Sequence, residues 1–231
     1  MRIIPLLALI ALLPVAVSSQ EIVAADQFFA SVSERYGQID DYECQVSISA
    51  GKKTMKGNLS FKSPSLLRID FRDPPDQVIA FDGQTLTVYI PELRAVLSQA
   101  ATEKPAGGSG GAAGASLASR EGLKMMKRNY TVAYDSTPAP QALDEKSEEK
   151  AVVLALARKT AAEGFKTLKL YVSPETRLIR RIRGSTLSGE EIAFDFVGIK
   201  TNIGIPAARF VYDSPASANV YNNFLFKNDN P

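Results

Sequence analysis

The stretch Leu66–Glu92, LLRIDFRDPPDQVIAFDGQTLTVYIPE, decides the fold. Side chains alternate strictly along a strand, so Leu67, Ile69 and Phe71 point one way while Leu66, Arg68, Asp70 and Arg72 point the other. Pro74–Pro75 breaks this run, and Asp82–Gly83 supplies the strongest short hairpin signal known. Beyond the hairpin, Leu86, Val88 and Ile90 form another apolar row, with Thr87 and Tyr89 opposite. The stretch therefore predicts antiparallel strands with one dry and one wet face. Periodicity alone does not distinguish a packed core from the lining of a cavity.

The same pattern extends in both directions. Strands are predicted at 42–49, 54–62, 66–72, 77–81, 85–90 and 95–99, with turns at Gly51, Pro64, Pro74–Pro75, Asp82–Gly83 and Pro91. A second set follows at 130–134, 151–158, 166–172, 178–184 and 191–199, with the polar stretch 144–150 read as a solvated hairpin tip. Upstream, Ala25, Phe28, Phe29, Val32 and Tyr36 recur at helical spacing and Gly37 is a natural stop, which predicts an amphipathic helix over about 23–36. A second short helix is predicted over 117–127, where Met125 and Met126 are either core filler or an adaptable greasy surface. Between the strand sets, 100–115 includes Gly107, Gly108, Gly110 and Gly111 and reads as a flexible loop.

Composition removes several function classes. The chain has 231 residues and 45% hydrophobic content, enough for one domain with a substantial core. Its net charge of +2 comes from 27 basic and 25 acidic side chains without a long block of one sign, so no nucleic-acid footprint stands out. There is no His and a single Cys, Cys44, which excludes Ser-His-Asp and Cys-His catalysis and every His-containing metal site. No metal, cofactor or catalytic residue is implied. Asp70, Asp73 and Asp82 are the carboxylates a hydrolase would have to use, but turns and a wet strand face explain them. Cys44 shares the apolar side of a strand with Tyr42, Val46 and Ile48 and reads as a packed small hydrophobe.

The N-terminus carries an address. Met1–Arg2 is positive, 3–17 is almost wholly apolar, and Val17–Ser18–Ser19 suits cleavage before Gln20. This predicts a Sec-type signal peptide over 1–19 and a single mature domain over 20–231, working outside the cytoplasm.

The order of elements resembles a known family. The run GNLSFKSPSLLRIDFRDPPDQVIAFDGQTLTVYIPELRAV, with Gly57, Phe61, Pro64, Arg68, Pro75, Asp82–Gly83, Tyr89 and Pro91, is followed by a helix, by FKTLKLYVSPETRLIRRI and by IPAARFVYDSP. Together they resemble the periplasmic lipoprotein carriers of the LolA-like family. The resemblance implies an α+β, mainly antiparallel fold: an incomplete β-barrel covered by the N-terminal helix and a short lid helix. It implies a carrier that shields lipoprotein acyl chains between the inner and outer membranes, with an ATP-driven exporter and an outer-membrane acceptor as partners, acting as a monomer in the periplasm. The implied acyl-chain positions are Val46, Ile48, Leu59, Phe61, Leu67, Ile69, Phe71, Leu86, Val88, Ile90, Met125, Met126, Leu168 and Leu170. Where the best-known members place a lid-holding Arg before the Pro that follows their second strand, this chain has Ser63. An envelope sensor using the same half-barrel is the alternative reading, and a carboxylate hydrolase the remote one.

Overall fold

The structure is a computed structural model that describes residues 23–100, 117–145, 147–160 and 165–222. The expected signal peptide and all but Ala100 of the expected glycine-rich loop lie outside the described residues.

Helix α1 (Ala25–Gly37) opens the described chain, and Phe28, Phe29, Val32 and Tyr36 form its buried stripe. Six strands follow in a meander: β1 (Asp41–Ala50), β2 (Lys53–Lys62), β3 (Leu66–Asp73), β4 (Pro75–Phe81), β5 (Thr85–Ile90) and β6 (Ala95–Ala100). Helix α2 (Arg120–Asn129) comes next, its first turn capped by the Ser119 hydroxyl, which accepts from the Gly122 amide at 3.0 Å. The second set comprises β7 (Tyr130–Tyr134), β8 (Gln141–Ala142), β9 (Lys150–Arg158), β10 (Phe165–Val172), β11 (Ile179–Thr186), β12 (Glu191–Thr201) and β13 (Asn219–Asn222). The Asp82–Gly83 turn forms as expected. Gly83 takes a φ of +97°, and the Asp82 carboxylate accepts from the amides of Gln84 at 2.8 Å and Thr85 at 2.7 Å.

All thirteen strands share one sheet in the order β13-β6-β5-β4-β3-β2-β1-β12-β11-β10-β9-β7, with β8 hanging on β9. Closure comes from β1 pairing back to β12, which joins the two meanders. The end strands β13 and β7 do not pair, so the sheet wraps without becoming a barrel. Its inner face carries one continuous apolar cluster that includes the buried residues of α1 and α2, and both helices pack beside β7. This is an open α+β half-barrel.

The outer face differs from a simple wet surface. Arg68 and Asp70, expected to face water, lie under the segment 205–212. Arg68 Nη1 donates to the carbonyls of Arg209 at 3.2 Å and Val211 at 3.1 Å, its guanidinium lies 5.4 Å from the Tyr212 ring centroid, and Asp70 is ion-paired with both Arg68 and Arg209. Phe210, within this segment, is itself buried at 1% exposed. Val78, Ala80 and Val96 are likewise buried at outer-face positions of β4 and β6, and the Tyr212 ring lies 6.1 Å from that of Tyr89 on the same side of β5.

A second outer cover lies over β9–β11. The stretch 144–150 is not a free tip: Asp144 pairs with Arg181 at 2.9 Å and Glu149 with Arg180 at 2.6 Å. Arg181 also donates to the Leu143 carbonyl at 3.0 Å and pairs with Asp195. Hydrogen bonding from Arg181 holds the Asp144 carboxyl below its ordinary range. Alternation predicted which side each residue takes, and nonlocal segments then decided whether that side is wet.

Candidate functional site

The site is built from the inner face of β1–β6. Successive registers place one residue of each strand in a row: Cys44 opposite Leu59, Leu59 opposite Ile69, Ile69 opposite Ile79, Ile79 opposite Val88, Val88 opposite Leu97 and Leu97 opposite Tyr221. Burial falls steadily along it. Leu59 and Ile69 are 0% exposed and Ile79 is 5%, Val88 and Leu97 are half-buried, and Tyr221 at the open edge is 53% exposed. A parallel row runs Tyr42, Phe61, Leu67, Phe81 and Leu86. After Cys44 the first row is hydrocarbon up to the phenol ring of Tyr221, so this part of the inner face can exchange contacts with another apolar chain.

The sequence-predicted residues divide between two environments. Val46, Ile48, Leu59, Phe61, Leu67, Ile69, Phe71, Met126, Leu168 and Leu170 are all buried within one cluster. Leu86, Val88 and Met125 are half-buried and pack against it. Ile90 is half-buried opposite Ala95 at the far end of β5, outside the cluster. Sequence reasoning missed Leu97 and Tyr221. Leu97 carried a signal, since it alternates with its neighbours in β6, whereas Tyr221 sits in a four-residue strand that pairs in parallel with β6 and has no local signature.

Ser63 is exposed, and its amide donates to the Asp40 carbonyl at 2.7 Å. The lid is tied elsewhere. Tyr42, stacked on Phe61 with ring centroids 5.2 Å apart, donates its hydroxyl to the carbonyl of Ala118 at 3.0 Å. Ala118 immediately precedes the α2 cap, so a β1 side chain on the inner face holds the start of the lid helix. Burial pushes the Tyr42 hydroxyl well above its ordinary pKa, which keeps it a neutral donor. The other helix is held at its far end, where the Tyr36 hydroxyl accepts from the Ile179 amide at 3.1 Å.

Cys44 and the three carboxylates a hydrolase would use are accounted for locally. Burial pushes the Cys44 thiol up to about 12, consistent with a packed side chain and not a reactive one. Asp70 is ion-paired, Asp82 caps a turn, and Asp73 is exposed at the opposite end of β4 from Asp82, so the three carboxylates do not converge. Among the described residues, no three or more His, Cys, Asp or Glu side chains are grouped to hold a metal ion.

Comparison with known proteins points the same way. The family model for outer membrane lipoprotein carrier protein LolA matches residues 33–107, which run from within α1 past the end of β6 and so include most of the graded row. An outer-membrane lipoprotein carrier protein of Legionella pneumophila (strain Lens) is 26% identical over 164 residues, covering 71% of this chain and 72% of the relative. Among solved structures, an uncharacterized conserved protein of Thermus thermophilus superposes with a TM-score of 0.52 at 12% identity, over 85% of this chain and 98% of that one. MucB in the MucA/MucB complex of Pseudomonas aeruginosa superposes with a TM-score of 0.50 at 14% identity, over 85% of this chain and 63% of that one. At such identities the two structures speak for the fold alone. From within α1 to just past β6, the sequence of the chain is similar to that of the LolA outer-membrane lipoprotein carriers.

Proposed function

We propose that the protein is a periplasmic carrier that takes lipoprotein acyl chains onto the inner face of its half-barrel and moves them from the inner toward the outer membrane. The observation that supports this most is the graded row from Leu59 to Tyr221, apolar throughout and opening to solvent at one edge. An acyl chain gains about 0.8 kcal/mol per buried CH₂. It therefore leaves a membrane only for a surface that is comparably apolar, and the row offers one.

The half-buried end at Val88 and Leu97 is the point of entry, and Leu86 and Met125 flank the way inward. Deeper positions such as Ile69 and Leu170 become available when α2 moves off the inner face. Tyr42, through Ala118, is the group that sets how easily it moves, in the place of the lid-holding function absent at Ser63. Release follows from a partner that binds the acyl chain more favourably, since a ligand moves only down a difference in affinity. An ATP-driven exporter of the inner membrane and an acceptor at the outer membrane would be the giving and receiving partners. Residues 1–19 would be removed on export, leaving a mature chain that begins near Gln20.

Purification of the mature chain from periplasm, followed by mass spectrometry of what accompanies it, tests the reading. Acylated N-terminal cysteine peptides are expected in stoichiometric amounts after overexpression of a lipoprotein. Their absence, with the protein folded and monomeric, would contradict it.

A further inference from the structure

We infer that the outward face of α2 docks the protein, reversibly and without insertion, on an anionic phospholipid surface. Arg120, Lys124, Lys127 and Arg128 are all exposed on this ten-residue helix. Lys159 joins them, since its ammonium lies 3.3 Å from the carbonyls of both Lys127 and Arg128. Among the described residues, Glu121 lies 3.9 Å from Lys124, and Glu34 faces Arg120 and Lys124 across an open groove between the two helices. Among these residues five cations stand against two carboxylates, in contrast with a whole chain of net charge +2.

Local helix energetics account for only part of this pattern. Lys127, Arg128 and Lys159 sit at the C-terminal end, where cations favour the helix dipole. Arg120 opens the helix, where the same dipole favours a carboxylate. It therefore carries a cost that the helix itself does not explain, and with Lys124 it extends the positive face along the full length of α2, roughly 15 Å.

The chemistry of the face selects a lipid surface over a protein partner. Protein hot spots are Trp, Tyr and Arg side chains seated in well-packed, desolvated pockets, whereas the cations of α2 stand exposed with no aromatic neighbour on the helix. Among the described residues, the exposed large hydrophobics are Val23, Leu93, Leu187, Val197, Ile203, Val211, Val220 and Tyr221, none of them on α2. A set of long, exposed cations without an apolar anchor matches a diffuse layer of phosphates, to which each Lys or Arg adds about fivefold in partition at low ionic strength. The docking does not use the acyl-chain row, so either proposal can fail without the other.

Sedimentation with sucrose-loaded vesicles tests it, using phosphatidylcholine alone and phosphatidylcholine with phosphatidylglycerol. The mature chain is expected to sediment only with the anionic vesicles and to be released by raising NaCl to a few tenths molar. The triple variant Lys124→Gln/Lys127→Gln/Arg128→Gln should lose about 100-fold in partition with only a small drop in melting temperature, since all three side chains are exposed and Lys127 and Arg128 lose no more than their interaction with the helix dipole. Lys52→Gln/Lys53→Gln/Lys56→Gln removes the same charge from exposed positions at the start of β2 and should change partition by no more than about twofold. Equal losses in both variants, or equal binding to neutral vesicles, would overturn the inference. So would failure to bind any vesicle combined with α2-dependent retention on a polyglutamate matrix, which would assign the face to an acidic protein.

Discussion

Asp41 shows how much one side chain can organise. It is 2% exposed, and its carboxylate accepts from the amides of Ile203 at 2.8 Å, Gly204 at 3.2 Å and Ile205 at 3.0 Å, with Lys62 Nζ 3.6 Å away. Burial alone would raise its pKa, but the three amides and the Lys62 charge outweigh it and hold the carboxyl below its ordinary value of 3.8. Because the folded pKa is the lower one, the clasp contributes fully above the ordinary value and is lost as pH falls through the folded value. Asp41→Ala should therefore cost about 2–3 kcal/mol at pH 7 by urea titration, in the range of a hydrogen-bonded charge. The gap between variant and parent should narrow below pH 3.8; a gap independent of pH would contradict the assignment. Cys44 makes an opposite prediction at the same scale: with its thiol pushed to about 12 and 6% exposed, it should resist Ellman's reagent until the protein unfolds.

Among the elements, β2 and β3 depend on a backbone approach that only glycine permits. A Cβ on Gly57 would lie 2.5 Å from the Asp70 carbonyl oxygen and 2.9 Å from the Phe71 Cα, both main-chain atoms that cannot step aside. Gly57→Ala is expected to cost about 1–3 kcal/mol by forcing the two strands apart, read as a lowered urea midpoint. The lid helix hangs on a smaller contact. Tyr42→Phe should cost about 1 kcal/mol of stability while speeding protease cleavage near Ala118, and unchanged cleavage would remove Tyr42 from the lid's attachment. Both helices and every strand except the short β8 and β13 were legible because each carries its own periodicity: Leu67, Ile69 and Phe71 declare a strand, and Phe28, Phe29, Val32 and Tyr36 declare a helix. What escaped was nonlocal. The parallel pairing of β13 with β6, the 205–212 cover held by Arg68, and the Asp144–Arg181 tie all join residues far apart in sequence, and no local pattern encodes them. The same limit applied to the site, where Ile69 and Val88 read as equivalent apolar positions although one is enclosed and the other half-open.

For the whole molecule, the arrangement amounts to a closed half and an open half on one sheet. The β1–β3 and β9–β12 portion is covered by α1 and α2 and holds the protein together, so Ile69→Ala, at 0% exposure, should cost about 2–5 kcal/mol. The β4–β6 portion is braced from outside by 205–212 and leaves Val88 and Leu97 half-buried inside. The carrier reading assigns stability to the first portion and cargo contact to the second, and it depends on that division. The most direct measurement is release of a radiolabelled lipoprotein from inner-membrane vesicles by the parent chain and by Val88→Gln and Leu97→Gln, with melting temperatures taken in parallel. Setting an amide against an acyl chain costs about 1–3 kcal/mol, so each variant should stay folded with a melting temperature near that of the parent and release about tenfold less lipoprotein. Stable variants that release as much lipoprotein as the parent would contradict the account.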